Sequence, residues 1–179
     1  MVLKNIFQGI ATVLLLLNNS CSKEKFPLDA NGLTHKGKFV YNNQFSMNGI
    51  YYMNREAEGG YAIRYFFQDG FYFASGTQEE VKVSIDCIQI HPNARKTPYN
   101  WGCFIIEGDT LKVQTFDPTS RERYHEFRVE ERWAKIENDS TIRFFKKITP
   151  EKKELELNEI FQYKYCKNKP DSTNILMKY

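Results

Sequence analysis

Beyond residue 46, apolar and polar residues alternate with period two along most of the chain, the spacing that sorts side chains onto the two faces of a strand. Met47–Met53 reads as a first strand. Tyr61–Phe67 and Phe71–Ser75 follow, joined by Gln68-Asp69-Gly70. Asp-Gly between two aromatic runs marks a tight hairpin, because the turn needs positive φ, which is free for glycine and tolerated by aspartate. Thr77–Pro92 is ambiguous. Thr77-Gln-Glu-Glu80 has the pattern of a helical capping box, whereas Val81, Val83 and Ile85 alternate like a strand. A short helix leading into a loop is the expectation there, and His91–Asn100, with two prolines, continues the loop.

The β pattern returns at Trp101–Ile106 and Thr110–Phe116, around the turn Glu107-Gly108-Asp109, and again at Tyr124–Trp133, Thr141–Ile148 and Ile160–Cys166. Pro150–Asn158 reads as a charged connection, and the chain from Lys169 onward as a polar surface tail. The pattern predicts a mostly-β domain: an antiparallel up-and-down barrel or a sandwich of about eight strands, with one short helix. No fixed-period repeat emerges, which excludes a propeller or solenoid.

The first 21 residues have a different texture. Lys4 is the only charged residue before Cys21, Ile10–Leu17 is a continuous short run with Thr12 as its one polar member, and Asn18-Asn19-Ser20-Cys21 ends the segment. A positive start, an apolar middle and a small residue at the cut are the layout of a secretory signal. A span of the ~30 Å hydrocarbon core takes ~20 helical residues, so the run is too short to be a transmembrane helix. Asn18-Asn19-Ser20-Cys21 resembles the lipobox of bacterial lipoproteins, in the looser form of Bacteroidetes-like members: Ser20 and Cys21 match, and Asn18 stands where leucine is usual, with Leu17 one place back. The resemblance implies cleavage before Cys21, acyl chains such as palmitate on that cysteine, and attachment to a membrane of the cell envelope, the outer one before the inner. The other reading is an ordinary signal with Cys21 an incidental thiol. Each buried methylene contributes ~0.8 kcal/mol, so two or more acyl chains hold a protein stably where one does not. The expected organisation is a signal peptide over 1–20, a lipid-anchored polar tether over 21–46 and a β domain over 47–179.

Composition narrows the function classes. The 158 residues beyond Cys21 suit one domain with its own core. The net charge of +3, one less without Lys4, is not that of a nucleic-acid binder, and no basic stripe interleaves with aromatics. Aromatic residues make up 15% of the chain, as suits half-buried pleated surfaces. Besides Cys21 there are Cys87, Cys103 and Cys166, without CxxC spacing. Three buried thiols or one bridge, Cys87 to Cys103 being the simplest, are both open.

Asn48-Gly-Ile-Tyr51 on the first strand, before an up-and-down meander, resembles the glycine-x-aromatic opening of lipocalins and other calycins, with Tyr51 in place of the usual tryptophan. Gly102-Cys-Phe104 repeats the pattern. The resemblance implies a barrel over residues 47–166 that can hold a small ligand.

Little in the sequence points to catalysis. His35, His91 and His125 are scattered, and no HExxH, GxSxG, P-loop or GxGxxG is present. Glu126, Glu130 and Glu131 lie on one strand, where Glu126, Arg128, Glu130 and Arg132 alternate in sign, a pattern expected of a solvated face with cross-strand ion pairs. The aromatic residues Tyr51, Tyr65, Phe67, Phe71, Phe73, Trp101, Phe104 and Tyr163 are candidates for core packing or for a ligand pocket. The expected function is that of a membrane-tethered, non-enzymatic lipocalin-like module, without cofactor or metal, that binds a small apolar ligand or an envelope component. A structural lipoprotein that docks another protein and a carboxylate-based hydrolase are the alternatives.

Overall fold

A computed structural model describes residues 32–41, 43–55, 60–77, 89–117 and 127–178. Cys21, Cys87, His125, Glu126 and most of the expected helix at 77–80 lie outside the described residues. Eight strands follow one another: β1 (Gly49–Arg55), β2 (Gly60–Phe66), β3 (Phe71–Thr77), β4 (Trp101–Glu107), β5 (Thr110–Phe116), β6 (Val129–Asn138), β7 (Thr141–Ile148) and β8 (Glu154–Tyr165). Each pairs antiparallel with the next, and β8 pairs back onto β1, with Tyr51 opposite Tyr163. The domain is therefore a closed up-and-down barrel rather than a sandwich.

Several strands differ from their expected limits: β1 runs over Gly49–Arg55 instead of Met47–Met53, and β3 continues to Thr77. β8 begins at Glu154, inside the segment expected as a charged connection. There the alternation is carried by Leu155 and Leu157 against Glu154, Glu156 and Asn158, and charge masked its period. The true turn is Thr149–Lys153, closed by Lys152 N–H donating to Thr149 O at 2.9 Å. β6 runs on to Asn138.

Register divides the side chains into two packed layers. The interior holds Tyr51, Ala62, Phe66, Tyr72, Phe104, Leu111, Val113, Ala134, Ile136, Ile142, Phe144 and Phe161, contributed by all eight strands. A second layer covers the outside of β1–β5. It contains Ile50, Ile63, Tyr65, Phe67, Phe71, Phe73, Trp101, Cys103 and Phe116, overlaid by Leu33, Ile90 and Leu176. Strands β2 and β3 are thus apolar on both faces, which is why their odd and even positions alike are aromatic.

Two segments expected to be polar appendages supply that cover. Leu33 and Phe45, placed by the sequence in the tether, are 3% and 2% exposed. His35 N–H donates to Gln114 Oε1 at 3.1 Å, and His35 Nε2 lies 3.1 Å from Glu131 Oε2 at an angle that makes no hydrogen bond. Burial outweighs that carboxylate and lowers the His35 pKa. The expected surface tail packs as well: Leu176 is fully buried, Lys36 Nζ donates to Leu176 O at 2.7 Å, and Arg95 pairs with Asp171 at 2.8 Å.

The cysteines are also arranged differently from expectation. Cys103 is a free thiol, buried against the outer layer and pushed up to about 12, so the expected Cys87–Cys103 bridge is not formed. Its side chain lies beneath packed aromatics in the middle of β4. Cys166, at the end of β8, is the disulfide-bonded one.

Candidate functional site

The two ends of the barrel interior differ in chemistry. One end carries the tight turns β2–β3, β4–β5 and β6–β7, and it is filled by aromatic rings. Phe66 meets Phe45, Phe104 and Tyr51 edge-on at centroid distances of 5.3, 5.2 and 5.6 Å, a favoured quadrupole geometry. Tyr51 Oη donates to Asp139 O at 3.1 Å and fixes β1 to the β6–β7 turn. Both glycines of the glycine-x-aromatic pairs serve closure. A Cβ on Gly49 would lie 2.0 Å from Lys164 O, and one on Gly102 2.0 Å from Gln114 O. Neighbouring backbones approach too closely there for any other residue.

The opposite end carries the other four connections, and charged side chains enter the interior there. Glu130 pairs across from Thr115, Arg132 from Val113 and Lys147, and Glu159 from Phe144. These positions share the inward face with Val113 and Phe144 of the interior core. The sign alternation of β6, expected to face solvent, therefore points in at Glu130 and Arg132, while Glu131 points out toward His35. Glu130 is 5% exposed. Its Oε1 accepts from Arg132 Nε at 3.1 Å and its Oε2 from Lys147 Nζ at 2.6 Å. Arg132 Nη1 also lies 3.6 Å from Glu159 Oε2, too far for a hydrogen bond, and that buried oxygen has no hydrogen-bond partner. Burial opposes the charge of Arg132, but Glu130, Tyr72 and Glu159 outweigh it and raise its pKa.

Two further groups extend the cluster toward the middle of the barrel. Arg64, opposite Tyr51 and Ala74, is 6% exposed. Its guanidinium stacks 4.9 Å from the centre of the Phe161 ring and donates to Ile63 O at 3.0 Å, and no carboxylate among the described residues pairs with it. Tyr72 is buried, and burial raises its pKa; Arg64 and Arg132 act on its hydroxyl from one sign, Glu159 and Glu130 from the other. Three cations thus face two carboxylates.

Beside Arg64 and Tyr72, other inward positions toward this end of β2–β4 are short: Ala62, Ala74, Gly76 and Gly102. At the rim of this end, Phe145, Lys146, Glu154, Leu155, Glu156 and Leu157 line a depression of about 560 Å³. Side-chain exposures of 23% for Arg132 and Lys147 and 24% for Glu159 show that the cluster communicates with solvent.

The aromatic residues singled out by sequence separate into three groups. Tyr65, Phe67, Phe71, Phe73 and Trp101 face outward under the second layer. Tyr51 and Phe104 fill the aromatic end, and Tyr163 packs against them. Tyr51 donates to Asp139 O and Trp101 Nε1 to Ala94 O. Sequence reasoning passed over Arg64 and Lys147. The available signal was Arg64 itself, a single charge at an inward position of a strand otherwise apolar on both faces.

Both oxygens of Glu130 face cations, whereas Glu159 Oε2 is left without a hydrogen-bond partner. No group of three or more metal-ligating side chains occurs among the described residues, and no described helix is long and apolar enough to cross a membrane. Comparison with known proteins finds no matching family model, no matching curated protein and no matching solved structure.

Proposed function

We propose that this chain is an envelope lipoprotein, anchored through acyl chains on Cys21, whose lipocalin-like barrel binds a small ligand at its charged end without transforming it. The observation that carries the binding half is the partly paired charged cluster inside the barrel, beside short alanine and glycine positions and reaching solvent. A purely structural barrel gains more from an apolar interior, because burying charges costs several kcal/mol each unless they are fully compensated. The anchoring half rests on the Lys4–Cys21 segment. A geometric link joins the two. Gly32 packs against Val129 and Phe116, at the charged end of β6 and β5. It follows Cys21 by 11 residues, a reach of at most about 40 Å. A tether of that reach lets the charged end face the lipid.

The test has two arms. Radiolabelled palmitate should be incorporated into the wild type and not into Cys21→Ser, which should leave the membrane fraction; label retained by the variant would overturn the anchor. Native mass spectrometry of the extracted protein should show a bound small molecule of constant mass. Recovery with a stoichiometric envelope protein and no small molecule would instead favour the docking role.

A further inference from the structure

We infer that the overhanging edge of β8, at the charged end of the barrel, takes an added strand from another protein: an extended segment in which lysine or arginine alternates with apolar residues. This goes beyond the small-ligand role and does not rest on it. The barrel closes over a short stretch. β8 has 12 residues and β1 has 7, and they pair from Gly49 opposite Tyr165 to Tyr52 opposite Gln162. Continued in that register, Arg55 at the end of β1 would reach only Glu159. Residues 154–158 therefore project past the end of β1, backed on their other side by β7, where Lys146 lies opposite Glu156 and Ile148 opposite Glu154. Alternation fixes which backbone groups are left over. Cys166 N–H donates to Asn48 O on the β1 side, and Tyr163 N–H to Ser140 O on the β7 side. Even positions of β8 thus turn their N–H and C=O toward β1, and odd positions toward β7. No strand among the described residues pairs with Glu154, Glu156 or Asn158 on the β1 side. Such a row of donors and acceptors is a template for strand addition, in which main-chain hydrogen bonds give affinity and side chains give specificity.

The side chains along this edge select the partner. Leu155 is 45% exposed, and with Leu157 and Phe145 it lines the rim depression. Residues 154–161 carry Glu154, Glu156 and Glu159 and no lysine or arginine. Glu154 meets Lys146 at 3.2 Å, whereas Glu156 forms no ion pair among the described residues and Glu159 Oε2 has no hydrogen-bond partner. A second copy is a poor occupant. β8 against β8 would bring two sets of three carboxylates together, and like charges across a strand pair repel. A strand with cations beside Glu156 and apolar side chains beside Leu155 and Leu157 matches both faces.

The experiment is titration of the full chain carrying Cys21→Ser, which removes the need for detergent, with capped peptides of about seven residues, an ordinary strand length. A peptide alternating lysine and valine should bind at least tenfold more tightly than its glutamate–valine counterpart, and should slow amide hydrogen exchange at Glu154, Glu156 and Asn158. N-methylation of its lysine amides (for antiparallel addition) or of its valine amides (for parallel) keeps the charge, removes the hydrogen bonds and should weaken binding at least tenfold. Asn158→Pro removes an edge N–H and none from the β7 ladder, and should weaken the lysine–valine peptide severalfold. Glu156→Lys leaves that N–H in place and should narrow the charge preference. Full binding by both methylated peptides would overturn strand addition, and equal binding of the glutamate–valine peptide would overturn the basic partner. Concentration-dependent dimerisation that protects the same amides would assign the edge to a second copy and overturn the proposal, as would no binding by any peptide. The small-ligand role is read separately, by native mass spectrometry, and survives each of these failures.

Discussion

Lys169 shows how much a single side chain can be asked to do at the aromatic end of the barrel. Its ammonium donates to Met47 O and Phe66 O and lies 4.6 Å from the centre of the Phe67 ring, bolting the C-terminal segment to β2. Burial lowers its pKa to about 8 from 10.5. Below pH 8 both folded and unfolded chains hold the proton, and the fold bears the full cost of the buried charge. Between pH 8 and 10.5 the unfolded chain binds more protons, so this group's contribution to stability rises with pH, by roughly 1.4 kcal/mol per unit. Cys103 and the buried tyrosines, all shifted upward, act oppositely in the upper part of that range. In urea denaturation the stability of wild type relative to Lys169→Met should therefore rise by about 2 kcal/mol between pH 7 and pH 9.5. A second residue-level expectation concerns Gly102. Gly102→Ala places a Cβ 2.0 Å from Gln114 O, which the β4–β5 ladder cannot yield, and should cost about 3 kcal/mol or more in chemical denaturation.

Among the elements, the segments outside the barrel matter most. The Leu33 region, the β3–β4 loop and the C-terminal segment form one apolar lid on β1–β5, and Leu176 is at its centre. Leu176→Ala should destabilise the protein by about 3 kcal/mol, the cost of a buried leucine truncation, and should bare the underlying aromatics to the dye ANS. The disulfide belongs to this layer. Cys103 is free and Cys166 is disulfide-bonded beside Asn168, whose carbonyl accepts from Gln89 Nε2 at 3.2 Å; with Cys21 proposed to carry lipid, Cys87 is the expected partner. Peptide mapping without reductant should recover a Cys87–Cys166 pair, and reduction should lower stability by about 2–4 kcal/mol. Cys103 should react with thiol reagents only after unfolding. The strand count and the positions of most turns were legible in the sequence because period-two alternation and Asp-Gly-type turns are local signals. The limits of β8 were not, since its solvent face is charged enough to hide the two leucines on the other.

For the whole molecule, the sequence by itself determined that the domain is antiparallel β, that its aromatics are structural in bulk, and which glycines mark the close backbone contacts. These follow from local spacing, turn chemistry and composition. The anchor proposed at Cys21 rests on the Lys4–Cys21 segment alone, whose pattern needs no fold to be read. Tertiary structure alone decided which face of each strand points inward. A period-two pattern of charge is the same whether that face meets water or the middle of a barrel, so Glu130 and Arg132 looked solvated until closure of β8 onto β1 set the inside. The apolar odd positions of β2 and β3 likewise looked like a barrel lining, and became an outer face only because the chain termini fold back to cover them. Arg64 gained its meaning from the same event: closure brought it over Phe161, nearly a hundred residues away, with no carboxylate among the described residues to meet it.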